Sequence, residues 1–239
     1  MNSYRKTAIV VGVLFITATV TAILSLVSLG TILVPPDYLT KVSANENQVI
    51  IGALSFFILA VALAGIAIVM YPIFKKQNEA LALGYVGARI VEGVLFIVAI
   101  LAILTLWTLS QEFVTTGNEE AYSFLTFEAV LIGLRNWTWL LVYIINGIAT
   151  LLLAYLLYQS KIVPRPISVL GFIGGVVLLL GTALAMMFSH VDVNQGIGML
   201  AVVPGGLFEL ILPIWLLVKG FDLSGFKSGS VKTDNYEAV

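Results

Sequence analysis

Arg89, Glu92 and Glu209 are the side chains of this sequence best placed to do chemistry, because each falls inside a long apolar run where an ionisable group is costly. Arg89 and Glu92 are three residues apart and share one face of any helix that carries them. Glu209 lies near the middle of the run 197–218, in the stretch VPGGLFELILP, between Pro204, Gly205 and Gly206 on one side and Pro213 on the other. Proline at 213 has no N–H to give the carbonyl of residue 209, so a free backbone oxygen is expected beside the Glu209 carboxylate. A broken helix offering a carbonyl and an acid at mid-membrane is a device by which transporters hold cations or protons. An isolated carboxylate at that depth must be protonated or paired. Counted from the same end of their runs, Arg89 and Glu209 lie at similar depths. The candidate site is therefore a buried cluster in which Arg89 neutralises Glu92, Glu209 or both, and it requires the third and sixth apolar segments to meet. The competing reading is assembly, with a kink fitted to packing and charges that only hold the bundle together.

Secondary candidates are weaker. Asn146 lies within the fourth apolar run and is expected to hydrogen-bond another helix. Arg135 precedes Asn136 and Trp137, which suits an interfacial position better than a buried one. His190 closes the fifth run; with Asn194 it spells the HxxxN fragment of some intramembrane proteases, but the paired glutamates and second histidine of those enzymes are missing. There is no cysteine and one histidine, which excludes disulfides, thiolate chemistry and a multi-histidine metal centre within one chain. No GxSxG, Walker or dinucleotide-binding glycine pattern is present. The sequence thus implies no metal, no cofactor and no enzymatic activity, and a net charge of −1 gives no reason to expect nucleic acid.

The elements that must position these residues are set by composition. Sixty per cent of the 239 residues are apolar and 10% are charged, against roughly a quarter charged in soluble domains. So few charges cannot cover a water-facing surface, and a lipid bilayer is the expected surrounding. Six apolar runs are long enough for a hydrocarbon core of about 30 Å: 7–29, 48–70, 81–109, 136–158, 167–189 and 197–218. They show no period-two alternation, which favours helices over a barrel. The expected fold is an all-α bundle of six transmembrane helices over residues 1–220, followed by a disordered cytoplasmic tail over 221–239. The first run, at 23 residues, exceeds the apolar core of a signal peptide.

Arg5, Lys6, Lys75, Lys76, Lys161, Arg165, Lys219, Lys227 and Lys232 are nine of the twelve Lys and Arg residues, and all fall at the N-terminus, in the second or fourth connection, or in the tail. The other three connections hold only Lys41 outside the runs and their flanks. That alternation places both termini in the cytoplasm and requires an even number of spans. Tyr71, Tyr155, Tyr158 and Trp215 fall near inner ends, and Trp107, Trp137 and Trp139 near outer ends, as interfacial rings should. Asp37, Glu46, Glu112, Glu119, Glu120 and Asp192 make the outer connections a solvated acidic face. Residues 121–134 are mostly apolar but interrupted by Glu128 and Gly133, and fit either an interfacial helix or an extension of the fourth span. Gly171 with Gly175, and Ala80 with Gly84 and Ala88, are small-residue steps suited to helix packing within the chain.

The segments RKTAIVVGVLFITATVTAILS, PDYLTKVSANENQVIIGAL, ALGYVGARIVEGVLF, LLYQSKIVPRPISVLGFIG and LPIWLLVKGF, between Arg5 and Phe221, resemble the bacterial membrane proteins grouped as domain of unknown function 4386. The RxxEG step at Arg89, Glu92 and Gly93 and the WLLVKGF ending are its most specific parts. The resemblance implies a bacterial inner-membrane location and six spans, and brings no activity, substrate or cofactor. Two functional classes follow from the residues. One is a small-solute, cation or proton-linked transport or binding protein built on Arg89, Glu92 and Glu209. The other is a non-catalytic accessory or regulatory protein in which those charges only assemble the bundle. Neither names a solute or an oligomeric state.

Overall fold

The computed structural model describes residues 3–116, 121–188 and 200–222. Among them are seven α-helices and no strand: α1 (Ser3–Gly30), α2 (Tyr38–Ala44), α3 (Glu46–Phe74), α4 (Glu79–Thr116), α5 (Ala121–Ser160), α6 (Arg165–Met187) and α7 (Val203–Val218). Helix is the form in which a continuous apolar segment satisfies its own backbone without water. The ends are marked locally. Asn78 caps α4, its Oδ1 accepting the Leu81 N–H at 3.0 Å, and α6 opens with Pro166 in its first turn.

Helices α1, α3, α4, α5 and α6 are long and apolar enough to cross a membrane. Their outward faces are apolar as well. Leu26 and Val27 are each 66% exposed and Leu180 61%, a pattern that water would not tolerate over a whole surface but lipid does. The sixth apolar run differs from its expected length. Within the described residues it forms a helix only from 203, and 16 residues rise about 24 Å, short of the core thickness.

The helices pack in sequence as a closed ring: α1 on α3, α3 on α4, α4 on α5, α5 on α6, α6 on α7, and α7 back on α1. Close approach is made by glycine, the means available where no hydrophobic gain drives helices together. A Cβ on Gly147 of α5 would lie 3.3 Å from the Gly175 carbonyl of α6, and one on Gly174 would lie 2.7 Å from the Gly205 backbone of α7. Gly171 meets Phe208 of α7 and Ala154 of α5, so the Gly171–Gly175 step packs helices within the chain.

One end of the bundle is basic. Arg5 donates from Nη1 to the Leu216 carbonyl at 3.1 Å and from Nη2 to that of Leu217 at 2.7 Å. These bonds satisfy two of the last carbonyls of α7 and set a cation against its negative end. Lys76 reaches the Tyr4 hydroxyl at 3.0 Å, and the Asp222 N–H donates to the Ile162 carbonyl at 2.9 Å. The start of α1, the α3–α4 and α5–α6 connections and the end of α7 therefore share one end. The other end holds α2, packed on α4 through the buried Leu39 and Val42, with Phe113 of α4 against Phe124 of α5.

Of the two readings of residues 121–134 the structure takes the extension: they are the first part of α5, continuous with the fourth apolar run. Two expectations change. The helix around Glu209 is unbroken, with Pro213 inside it; the loss of one donor does not stop a helix held on both sides by α1 and α6. Trp139 is no interfacial anchor: its ring packs 5.0 Å from Phe56 and 5.7 Å from Phe96, whereas Trp137 is exposed. Ser189, His190, Asp192, Asn194, Glu119, Glu120 and the tail 223–239 lie outside the described residues.

Candidate functional site

Arg89 sits about three turns into α4 from the basic end, and Tyr85, Arg89, Glu92 and Phe96 follow at steps of four, three and four along one face. Tyr85, Arg89 and Glu92 are completely buried. The Arg89 Nη1 donates to Glu92 Oε2 at 2.8 Å. The second Glu92 oxygen, Oε1, accepts the Asn146 amide of α5 at 2.9 Å, and Asn146 Oδ1 accepts the Thr150 hydroxyl at 3.4 Å. Both oxygens of one carboxylate are thus occupied, which is what keeps a charge pair tolerable where no water reaches.

Glu209 enters from the opposite side of the ring. Its Oε1 lies 3.7 Å from Arg89 Nη2, an ion pair without a hydrogen bond, and 30% of its side chain is accessible while the Arg89 and Glu92 side chains have none. Gly205 and Gly206 stand one turn before Glu209 on α7. A Cβ at Gly205 or at Gly206 would meet nothing within 4 Å. Helices α4 and α7 do not pack along one another as the neighbouring pairs do; the third and sixth apolar segments meet only through the length of the arginine side chain across the ring.

An aromatic layer closes the cluster toward the end that carries α2. Phe56, Phe96 and Trp139 form mutual ring contacts at 5.0–5.8 Å, and Trp139 Nε1 donates to the Tyr143 hydroxyl at 3.0 Å. On the basic side the Arg89 guanidinium lies 5.7 Å from the Tyr85 ring centroid. Formally the site holds one cation and two carboxylates, so one negative charge is in surplus, and it is the loosely held one.

The structure thus brings together Arg89, Glu92, Glu209 and Asn146. Arg135 does not join them: it lies three turns away on α5 from Asn146, on the side of the end that carries α2, its Nη1 3.1 Å from Asn136 Oδ1. Sequence reasoning missed Tyr85, Thr150 and the aromatic layer. Tyr85 was findable, since it lies one turn before Arg89; Thr150 likewise stands four residues beyond Asn146. The layer was not, because its members come from three helices. Among the described residues no group of three or more metal-ligating side chains occurs.

No curated protein and no solved structure matches the chain. The family model described as Domain of unknown function (DUF4386) does match, over residues 10–220, and with most of its length covered the chain belongs to that family.

Proposed function

We propose that the protein is a small carrier or binding protein of a bacterial inner membrane, which handles a small solute or cation together with a proton held on Glu209. It is a carrier rather than an enzyme. The observation behind this reading is the division of labour among three charges. Glu92 is saturated by Arg89 and Asn146 at 2.8 and 2.9 Å, whereas Glu209 is held more loosely, at 3.7 Å from Arg89 and beside Asn146, and remains partly accessible. A loosely held carboxylate is free to exchange a proton or a cation; a saturated one is not.

In this reading residues 1–220 act as one transmembrane domain that crosses six times, with α7 as the short sixth crossing and the basic end in the cytoplasm. Bonds from Arg5 to the end of α7 support an even number of crossings, and the lysines and arginines at that end support its cytoplasmic side. Because the chain has no cysteine, single cysteines report orientation cleanly. Lys76→Cys should be shielded from a membrane-impermeant maleimide in intact cells and Glu112→Cys labelled; the reverse pattern would overturn the orientation.

The function is tested by Glu209→Gln in proteoliposomes. Proton flux into pyranine-loaded vesicles should be lost while yield and melting temperature stay at the level of the parent. Loss of folded protein instead, recovered by a compensating change at Arg89, would favour the accessory reading in which the charges only assemble the bundle. That second reading draws its support from the complete burial of Arg89 and Glu92.

A further inference from the structure

The guanidinium of Arg89 points to the kind of solute. Nε and Nη2 carry three of its five N–H groups, and neither nitrogen has a hydrogen-bond partner although both are buried. Together they form the side edge of the fork, the edge that grips two oxygens of one planar anion in parallel. The Tyr85 hydroxyl, one turn away beneath the guanidinium, is also buried without a partner. Buried donors are costly to leave unmade, and here three of them lie in one place. The nearest anion, Glu209 Oε1, stands 3.7 Å from Nη2, beyond a hydrogen bond.

We infer that the side edge of Arg89, with the Tyr85 hydroxyl, is the seat of a small monocarboxylate that enters as Glu209 takes up a proton. This rests on the reading of Glu209 as the proton-exchanging group. Charge decides the class. With Glu209 ionised the cluster is formally −1, and a monoanion arriving with one proton leaves it at −1. A dianion would leave −2 in a low-dielectric interior, and a cation would leave the open N–H edge unused. No other charge intervenes. Neither α1 over 7–30 nor α6 over 166–187, the helices that flank α7, carries an ionisable residue, and α5 offers the neutral Asn146. Size follows from the walls. The Phe56, Phe96 and Trp139 layer stands on one side, and one turn before Glu209 the glycines Gly205 and Gly206 put no side chain on α7, where a Cβ would meet nothing within 4 Å.

The test uses the full chain in pyranine-loaded vesicles at equal pH, with the membrane potential clamped and an inward gradient of sodium pyruvate. The lumen should acidify faster than in protein-free vesicles, and gradients of sodium phosphate or sodium chloride should not reproduce it. Arg89→Lys keeps a cation beside Glu92 but removes the planar edge, and should abolish the response. Should that variant fail to fold, Tyr85→Phe carries the test, since it removes only an oxygen without a partner. It should raise the half-saturating pyruvate concentration about fivefold, as expected for one lost hydrogen bond, with melting unchanged. Glu209→Gln should still bind pyruvate, without pH dependence, and move no protons. If pyruvate causes no acidification while a Glu209-dependent proton flux persists, the monocarboxylate assignment falls and the carrier reading stands. If Glu209→Gln alters no flux at all, both fall. Pyruvate transport with a half-saturation untouched by Tyr85→Phe would overturn the placement on this edge.

Discussion

The two halves of the ring treat a buried charge in opposite ways. On the α4–α5 side, Arg89, Glu92 and Asn146 are held by hydrogen bonds of 2.8 and 2.9 Å on helices of 38 and 40 residues, under a layer of aromatic rings. On the α7 side, Glu209 rides a 16-residue helix whose first turn carries Pro204, Gly205 and Gly206, and its distance to Arg89 is 3.7 Å. The first arrangement fixes a charge by using up its bonding capacity. The second leaves capacity spare, at the member of the cluster whose side chain stays partly accessible. A bilayer protein that needed its charges only for assembly would gain from satisfying both carboxylates alike.

That contrast can be broken most forcefully at Glu92. Glu92→Leu leaves the Arg89 guanidinium buried beside an unpaired Asn146 and should cost about 3–5 kcal/mol, read as loss of folded protein in mixed-micelle unfolding. The double change Arg89→Leu with Glu92→Leu should recover part of it, because the fully buried pair is removed together and the charge left behind, Glu209, is partly accessible. Failure to recover would mean that the pair does more than hold itself together. Next in size is Gly174→Ala. Its new Cβ would meet the Gly205 backbone, which cannot rotate away, so about 1–3 kcal/mol should be lost. If it is silent, α7 is looser against α6 than its packing implies.

Arg5→Ala should cost about 1 kcal/mol, the net worth of its bonds to the α7 carbonyls. The loss should show as fraying of α7 in hydrogen exchange, with α4 unaffected. The smallest expected effect on stability sharpens the contrast most. Glu209→Gln should change unfolding by no more than about 0.5 kcal/mol, since the amide keeps the shape of a partly accessible side chain whose charge lies 3.7 Å from the guanidinium. A loss as large as that of Glu92→Leu would show the two carboxylates to be equivalent and would remove the basis for treating Glu209 apart.

Much of this was legible in the residues. Six apolar runs, the basic alternation and the spacing of three between Arg89 and Glu92 follow from local rules: helix rise, the cost of charge in hydrocarbon, and the face shared by residues one turn apart. Membership of the DUF4386 family was likewise visible in short segments such as RxxEG. Run lengths were read less well. Residues 121–134 left two readings open, an interfacial helix or an extension of the fourth run, because Glu128 and Gly133 interrupt the apolar pattern, and the extension holds. A single acid or glycine does not end a helix when α2 and α4 lie alongside. The sixth run looked long enough to cross, yet its described helix starts at 203, beside Pro204.

By itself the amino-acid sequence determined that charges would be stranded in an apolar bundle and which ones they would be, since burial in lipid depends on the length and composition of each segment alone. Tertiary structure decided how those charges are shared. Asn146 rather than Glu209 completes Glu92. Arg89 spans a ring whose α4 and α7 do not pack together. The Tyr85 hydroxyl and two guanidinium nitrogens keep no close hydrogen-bond partner. These outcomes depend on the rotation and order of helices about a common axis, which come from glycine contacts between segments far apart in the chain.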